Sequence, residues 1–170
     1  MSEAVLERLN GALEGHDVEL SDGVDGTACV RATPANVHAV LTSLRDAGFA
    51  TNTLVTGIDH HPRSPRFELV HMLMAVPSGD RVRVTTMLEG DEPSAPTCID
   101  LWPGAAYAER ECYDMFGIRF DGHEGLKRLL MPEEYGHHPL RKEFPHAGIE
   151  PDRLYREWDD ARRAAASEEA

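Results

Sequence analysis

The sequence predicts an α+β fold, a small sandwich of helices on a mostly antiparallel sheet, followed by an extended C-terminal tail. Helix and strand patterns follow one another in the order α, β, α, β, β, β, α over the first part of the chain. The last two strand patterns are joined by "PSGD", which suits a hairpin turn. Glycine and proline then recur through residues 121–150. We therefore predict an α+β domain over residues 1–120 and a tail with a short C-terminal helix over residues 121–170.

The first half of the domain shows two helical patterns with a strand between them. "SEAVLERLNGALE" places apolar residues at helical spacing and predicts a short amphipathic helix. An acidic link follows, and then "TACVRAT" alternates as a strand does. "PANVHAVLTSLRDAG" predicts a second helix that begins at Pro34 behind a Thr33 cap and ends at Gly48.

Three strands are predicted next, from "TNTLVTGIDHH", "RFELVHMLMAVP" and "RVRVTTMLEG". The middle one is apolar on both sides, with Phe67 and Leu69 on one face and Met72 and Met74 on the other. A strand with this pattern is buried on both sides. One face can pack on the helices of the domain, so we expect something else, such as another protein chain, to cover the other.

A third helix of about 12 residues is predicted from near Pro103 to Gly117. Its apolar arc contains Cys112, which we expect to be a core residue rather than an activated thiolate. Glu109 lies on the shoulder of this arc, so we expect it to be half buried and paired with a cation, Arg119 above all. Arg110 and Asp114 lie four apart on the opposite arc and can form an ion pair.

Residues 121–150 predict no long helix or strand. An irregular stretch of this length is usually functional or lies over a partner. We expect its polar groups to find their contacts in another chain, and the stretch to be open to protease in the free protein. Its basic pairs, Lys127 with Arg128 and Arg141 with Lys142, suit an acidic groove on that partner.

Composition excludes several classes of function. The chain has 170 residues, 41% of them apolar, and a net charge of −13. This charge disfavours binding to nucleic acid. No apolar run approaches the roughly 18 residues needed to span a membrane, and the N-terminus has no signal-peptide pattern, so we expect a cytoplasmic protein without direct membrane insertion. The three cysteines form no CxxC motif and predict reduced thiols.

Two alternatives from other classes stay open at this stage. One is a stand-alone metal-dependent hydrolase that uses the histidines of the tail, although no zinc motif such as HExxH occurs and "GHHPL" is typical of a turn with solvent-facing histidines. The other is a non-catalytic adaptor for some other protein. No GxSxG elbow, GxGxxG or GxxxxGK[ST] loop is present, which disfavours the usual nucleophilic, dinucleotide and ATP sites. The candidate ligands for a metal are His123, His137, His138, His146, Glu109 and Cys112.

"YAERECYDMFGIRFDGH" and "GLKRLLMPEEYGHHPLRKEFP" resemble the signature of the C-type, or 30-kDa-type, subunit of respiratory complex I, the proton-pumping NADH:quinone oxidoreductase. The resemblance is strong over residues 102–145 and looser over about residues 56–101. Glu124 departs from the pattern, because the family usually has proline after Gly-His. Related subunits occur in membrane-bound hydrogenases and in ferredoxin- or deazaflavin-linked quinone reductases.

The resemblance implies a cofactor-free structural and assembly subunit of the hydrophilic arm, without a catalytic residue. FMN, iron–sulfur clusters and quinone would be held by partner subunits. The implied partners are the 49-kDa-type subunit, around which the tail wraps, and the subunit with the terminal iron–sulfur cluster, on the cytoplasmic side of the membrane. The implied interface residues are Glu109, Arg110, Glu111, Asp114, Gly117, Phe120, Gly122, His123, Arg128, Pro139, Leu140, Arg141, Lys142 and Pro145.

Overall fold

The computed structural model describes residues 3–146, 148 and 156–162. Its helices are α1 (Glu3–Leu13), α2 (Val37–Asp46) and α3 (Ala105–Phe116). Residues 156–162 are also helical. The strands are β1 (Glu19–Asp22), β2 (Ala28–Ala32), β3 (Thr51–Asp59), β4 (Phe67–Ala75), β5 (Asp80–Leu88), β6 (Ser94–Pro96) and β7 (Arg119–Asp121).

Five of these strands form one sheet in the order β1-β2-β5-β4-β3. All neighbouring pairs are antiparallel except β2 and β5, which run parallel. The predicted hairpin joins β4 to β5 and is closed by a hydrogen bond from Gly79 N to Ala75 O. The predicted α+β class with a mostly antiparallel sheet is therefore confirmed.

One face of the sheet and the three helices share a single core. Val30, Leu69 and Val84 from the central strands are fully buried with Leu9 of α1 and Leu44 of α2. Burial of each such aliphatic side chain contributes about 1.5–3 kcal/mol. The core extends to α3 through residues that include Cys112, as predicted, and Phe116. The layer of helices therefore lies on one face of the sheet only.

Strand β4 is only partly covered on its second face. Val70 is buried there, but Met72 and Met74 are half-buried and Val76, just beyond the strand, is exposed. The prediction that β4 is buried on both sides is therefore confirmed for the face that packs on the helices. On the second face it is confirmed for Val70 only.

Some elements differ from the sequence-based expectation. Helix α2 begins at Val37 rather than Pro34, because residues 34–36 form a turn in which the side-chain oxygen of Asn36 accepts a hydrogen bond from Thr33 N at 2.8 Å. Strand β1 lies in the predicted link, and its mostly exposed residues give no alternating apolar pattern. The pair β6 and β7 is parallel and only three residues long on each side.

The predicted domain boundary at 120/121 falls inside β7. Leu154 and Tyr155 of the predicted C-terminal helix lie outside the described residues.

The core also holds a small polar cluster. His71 of β4 is fully buried, with its Nδ1 3.4 Å from the side-chain nitrogen of Asn52 and 3.9 Å from the Cys98 sulfur. Burial lowers the pKa of His71 to about 4, because the charged imidazolium would lose its hydration. Burial also raises the pKa of the Cys98 thiol. Both side chains are therefore neutral in the folded protein at neutral pH.

Candidate subunit interface

Helix α3 packs against the edge strand β3 at a glycine. A Cβ atom on Gly57 would lie 2.8 Å from a ring carbon of Phe116 and 2.9 Å from a methyl carbon of Ile118. The helix ends at Gly117, whose φ of 78° is the left-handed conformation that favours glycine at a helix C-terminus. Helix α3 therefore has both its face and its end fixed by glycines.

Glu109 is fully buried, and its carboxylate is held by hydrogen bonds from the loop after β6. One oxygen accepts from the Thr97 hydroxyl at 2.5 Å and the other from Cys98 N at 2.8 Å. Arg119, the expected partner, is exposed. The prediction of a half-buried Glu109 paired with a cation is therefore wrong. The reason is that hydrogen bonds from a neutral loop satisfy the buried carboxylate instead.

We expect Glu109→Ala to lower the free energy of unfolding by about 2–3 kcal/mol, because the Thr97 and Cys98 donors lose their acceptor. Glu109→Gln keeps the shape and one acceptor oxygen, so its effect is smaller. Urea denaturation measures both. Arg119→Ala is the matched control, and a loss equal to that of Glu109→Ala would show that the two residues do pair.

Asp114 is fully buried although the helical pattern placed it on the polar arc. Its Oδ2 accepts hydrogen bonds from the backbone N–H groups of Leu129, Leu130 and Met131 at 3.0, 2.7 and 2.8 Å. Its Oδ1 accepts from Arg128 Nη1 at 2.6 Å. These donors hold the pKa of Asp114 below its usual value against the opposing effect of burial. The predicted Arg110–Asp114 pair is therefore wrong.

Arg110 instead reaches the chain beside these residues. Its Nε and Nη2 donate to the carbonyl oxygens of Lys127 and Arg128 at 3.2 and 2.8 Å. Residues 127–131 are thus held from two positions one helical turn apart on α3. We call residues 122–146 the C-terminal segment.

The C-terminal segment also satisfies the last carbonyl groups of α3, which have no partner within the helix. Asp114 O accepts from Arg128 Nη1 at 3.3 Å and from His138 Nδ1 at 3.0 Å. Met115 O accepts from Leu140 N at 3.0 Å, and Phe116 O from Arg141 Nε at 2.7 Å. Two arginines therefore lie at the negative end of the helix dipole, where cations stabilise a helix.

A second carboxylate fixes the segment to the sheet. Asp59, buried at the end of β3, accepts two hydrogen bonds from Arg66 at 2.9 and 2.8 Å and one from Lys142 N at 2.8 Å. Arg66 also pairs with Glu143. The guanidinium carbons of Arg66 and Arg141 lie 4.7 and 5.1 Å from the centre of the Phe67 ring.

These contacts correct one expectation from the sequence. Over residues 128–142 the irregular segment finds its polar partners in its own domain, at Asp59, Asp114 and the end of α3. Arg128 and Arg141 of the two basic pairs point inward, and only Lys127 and Lys142 are exposed. Openness to protease stays a prediction for the rest of residues 121–150, whereas for residues 127–142 these contacts lead us to expect slow cleavage in the free protein.

The structure separates the predicted interface residues into three groups. Glu109, Asp114, Gly117 and Phe120 are buried, while Arg110, His123, Arg128, Pro139 and Arg141 are half-buried. Glu111, Gly122, Leu140, Lys142 and Pro145 are exposed. Three residues of the site, Asp59, Arg66 and Thr97, were not predicted from the sequence. The pattern that could have indicated the site is Asp59, the single carboxylate in the predicted strand "TNTLVTGIDHH".

The histidines of the segment do not come together around one point. His123 contacts Ala106 O at 3.1 Å, whereas His138 contacts Asp114 O and has its pKa lowered by burial. His137 packs against the rings of Tyr135 and Phe144. The expectation that both histidines of "GHHPL" face solvent is therefore wrong for His138. Within residues 3–146 and 156–162 no cluster of three or more His, Cys, Asp or Glu side chains suits a metal ion.

The C-terminal segment exposes two large apolar side chains on the side that faces away from the domain. Leu130 is 63% exposed and Leu140 is 51% exposed. The backbone N–H of Leu130 donates a hydrogen bond to the Asp114 carboxylate, and that of Leu140 donates to the carbonyl oxygen of Met115 in α3. The segment thus holds apolar groups in fixed positions at the surface, with Lys127 and Lys142 nearby in sequence. In the part of the chain that the structure describes, no helix is both long and apolar enough to cross a lipid bilayer.

Comparison with known proteins gives consistent similarities. Residues 30–150 match the family described as respiratory-chain NADH dehydrogenase, 30 Kd subunit. The chain is 40% identical over 146 residues to the C-type subunit of NADH-quinone oxidoreductase from Roseiflexus sp. (strain RS-1), covering 83% of this chain and 82% of that protein. It is 36% identical over 177 residues to the same subunit of Rhizobium rhizogenes (strain K84 / ATCC BAA-868), covering 99% and 84%.

Two solved structures are similar as well. A structure described as Nqo5 of the trypsin-resistant fragment (1-134) matches with a TM-score of 0.63 and 30% identity, over 73% of this chain and 98% of that one. A chain of the membrane-bound sulfane sulfur reductase, an archaeal respiratory membrane complex, matches with a TM-score of 0.75 and 25% identity, over 85% and 87%.

Proposed function

Because this chain belongs to the family of the 30-kDa subunit of respiratory-chain NADH dehydrogenase, we propose that it is a subunit of the hydrophilic arm of an NADH:quinone oxidoreductase of the complex I type. The family match over residues 30–150 is the observation that carries this proposal. Proton translocation and NADH oxidation are then properties of the assembled enzyme. The chain contributes to them by supporting the quinone-reducing 49-kDa-type subunit.

The C-terminal segment supports a role in assembly. It offers Leu130 and Leu140 as apolar groups on a backbone that is already fixed by Asp114 and by the end of α3. A fixed backbone loses little conformational entropy on binding, so more of the contact energy goes into affinity. We propose that this surface contacts the 49-kDa-type subunit, next to the subunit with the terminal iron–sulfur cluster.

The inward-pointing residues that anchor the C-terminal segment act indirectly in this proposal. Asp114, Arg128 and Arg141 position the backbone, whereas Leu140 and Lys142 touch the partner. The chain itself holds no redox group and lies at the membrane through its partners, on the cytoplasmic side. The thiols of Cys98 and Cys112 are buried, and burial raises the pKa of Cys112 to about 12, so both thiols are protonated in the folded chain at neutral pH.

The test uses an affinity tag on this chain and purification of the assembled enzyme in mild detergent. Leu140→Asp is expected to weaken association at least about tenfold, which is about 1.4 kcal/mol. Recovery of the partner subunits and quinone reductase activity fall together. Val24→Asp, at an exposed apolar residue of the β1–β2 turn, is the control and leaves both unchanged. Normal recovery of partners with lost turnover would contradict the proposal, because it would give the segment a catalytic role.

A further inference from the structure

The face of the sheet opposite to the helices carries a second apolar surface. We call it the open face. It includes Leu54 and Ile58 of β3 and Val70, Met72 and Met74 of β4, since residues paired across strands point to the same side. Leu54 is 47% exposed and Ile58 is 40% exposed. The helices cannot cover these side chains, because their buried residues all pack on the other face.

The open face continues to the edge strand β3. Strand β3 is the last in the sheet and is nine residues long. Exposed edges of this length are usually guarded by lysine, proline or inward charges, which limit pairing with other chains. Strand β3 has a register shift between Asn52 and Leu54 and an inward charge at its last residue, Asp59, but from Thr51 to Ile58 it contains no charged residue and no proline. Such an edge is typical of a surface that is covered in the assembled protein.

The charges beside the open face define the kind of surface that fits it. Arg81 and Arg83 of β5 lie directly across from Met74 and Met72. Arg83 pairs with Asp25, and farther across the sheet Arg31 pairs with Glu19. Arg81 is exposed, and no carboxylate of the described residues pairs with it. The apolar patch is thus bordered by one unpaired cation.

We propose that the open face is a second docking surface, which receives an apolar surface of another subunit of the same enzyme with a carboxylate opposite Arg81. This rests on the proposed function. A second copy of this chain fits less well. In a two-fold contact the open face meets the same face of its copy, so the carboxylate opposite Arg81 would have to come from this face. The carboxylates on this face, Glu19 and Glu68, already accept hydrogen bonds from Arg31 and His60 of their own chain, so a second copy would leave Arg81 without a partner.

The test introduces a photo-crosslinking amino acid at Leu54 in the full chain and irradiates the assembled enzyme. We expect a crosslink to a different subunit, at apolar residues with an aspartate or glutamate close by. Leu54→Asp and Arg81→Glu are expected to lower the recovery of that subunit about tenfold, with unchanged thermal unfolding of the isolated chain. A crosslink to a second copy of this chain, or no crosslink with full recovery, would overturn the proposal.

Leu140→Asp separates this proposal from the proposed function. If only the segment variant lowers recovery, the enzyme assembles through the C-terminal segment and the open face is not a docking surface. If neither variant lowers recovery and no quinone reductase subunit is purified with the chain, the proposed function itself is wrong.

Discussion

Asp114→Ala is expected to lower the free energy of unfolding by about 3–5 kcal/mol, the range for breaking a buried ion pair by removing one partner. The variant leaves the Arg128 guanidinium without its carboxylate and removes the common acceptor of three backbone N–H groups. Urea denaturation of the isolated chain measures the loss. Glu111→Ala, an exposed carboxylate on the same helix, is the control and changes stability by less than about 0.5 kcal/mol.

The same variant should release the C-terminal segment. Trypsin cuts after lysine and arginine, and Lys127 and Arg128 lie at the start of the stretch that Asp114 holds. We expect slow cleavage there in the unaltered protein and fast cleavage in Asp114→Ala, at temperatures where both proteins are folded. Equal and rapid cleavage in the two proteins would show that Asp114 does not hold the segment in solution.

Lowering the pH from 7 to 4 is expected to remove about 3 kcal/mol of stability through His71 alone. Its pKa is about 4 in the folded protein against 6.5 as the ordinary value. Between these two values the unfolded chain binds a proton at this position and the folded chain does not. Protons therefore favour the unfolded state, and the free energy of unfolding falls as the pH falls through 6.5 and levels off below about 4.

The comparison with His71→Leu isolates this contribution. The variant has no imidazole to protonate, so the free energy of unfolding of the unaltered protein should fall by about 3 kcal/mol relative to that of the variant from pH 7 to pH 4. Asp59 and Asp114 have pKa values lowered below their usual range, and their loss of stability begins at more acidic pH in both proteins. Parallel pH profiles would mean that water or a partner reaches His71 in the folded state.

The secondary structure was predictable where the pattern is local. Helix α3 ends at Gly117 as predicted, since a glycine in the left-handed conformation terminates a helix whatever surrounds it. The β4–β5 hairpin follows from alternation and a turn in the same way. Strand β1 was missed although it pairs with the neighbouring strand β2, because its four residues are mostly exposed and carry no alternating apolar pattern. The β6–β7 pair was missed because it joins two short segments that lie far apart in the sequence, and β6 contains a proline.

The partners of the charged residues in α3 were not predictable from helical spacing. At about 100° per residue the pattern shows which side of the helix a residue is on, but not which loop lies there. Thr97 and Cys98 precede Glu109 in the chain, and the donors to Asp114 follow it at Leu129, Leu130 and Met131. Asp114 is buried because residues 128–131 of the C-terminal segment cover the polar arc at this position, which is a tertiary contact of two separated parts of the sequence.

The bonds that Leu140 and Arg141 make to α3 have a consequence for synthesis of the protein on the ribosome. The last carbonyl groups of the helix stay hydrated until these two residues have been translated and have left the exit tunnel. The nascent chain therefore completes this helix late, after every strand of the main sheet is available. A product that stops before residue 140 would lack both donors, so the carbonyl oxygens of Met115 and Phe116 would depend on water for their hydrogen bonds.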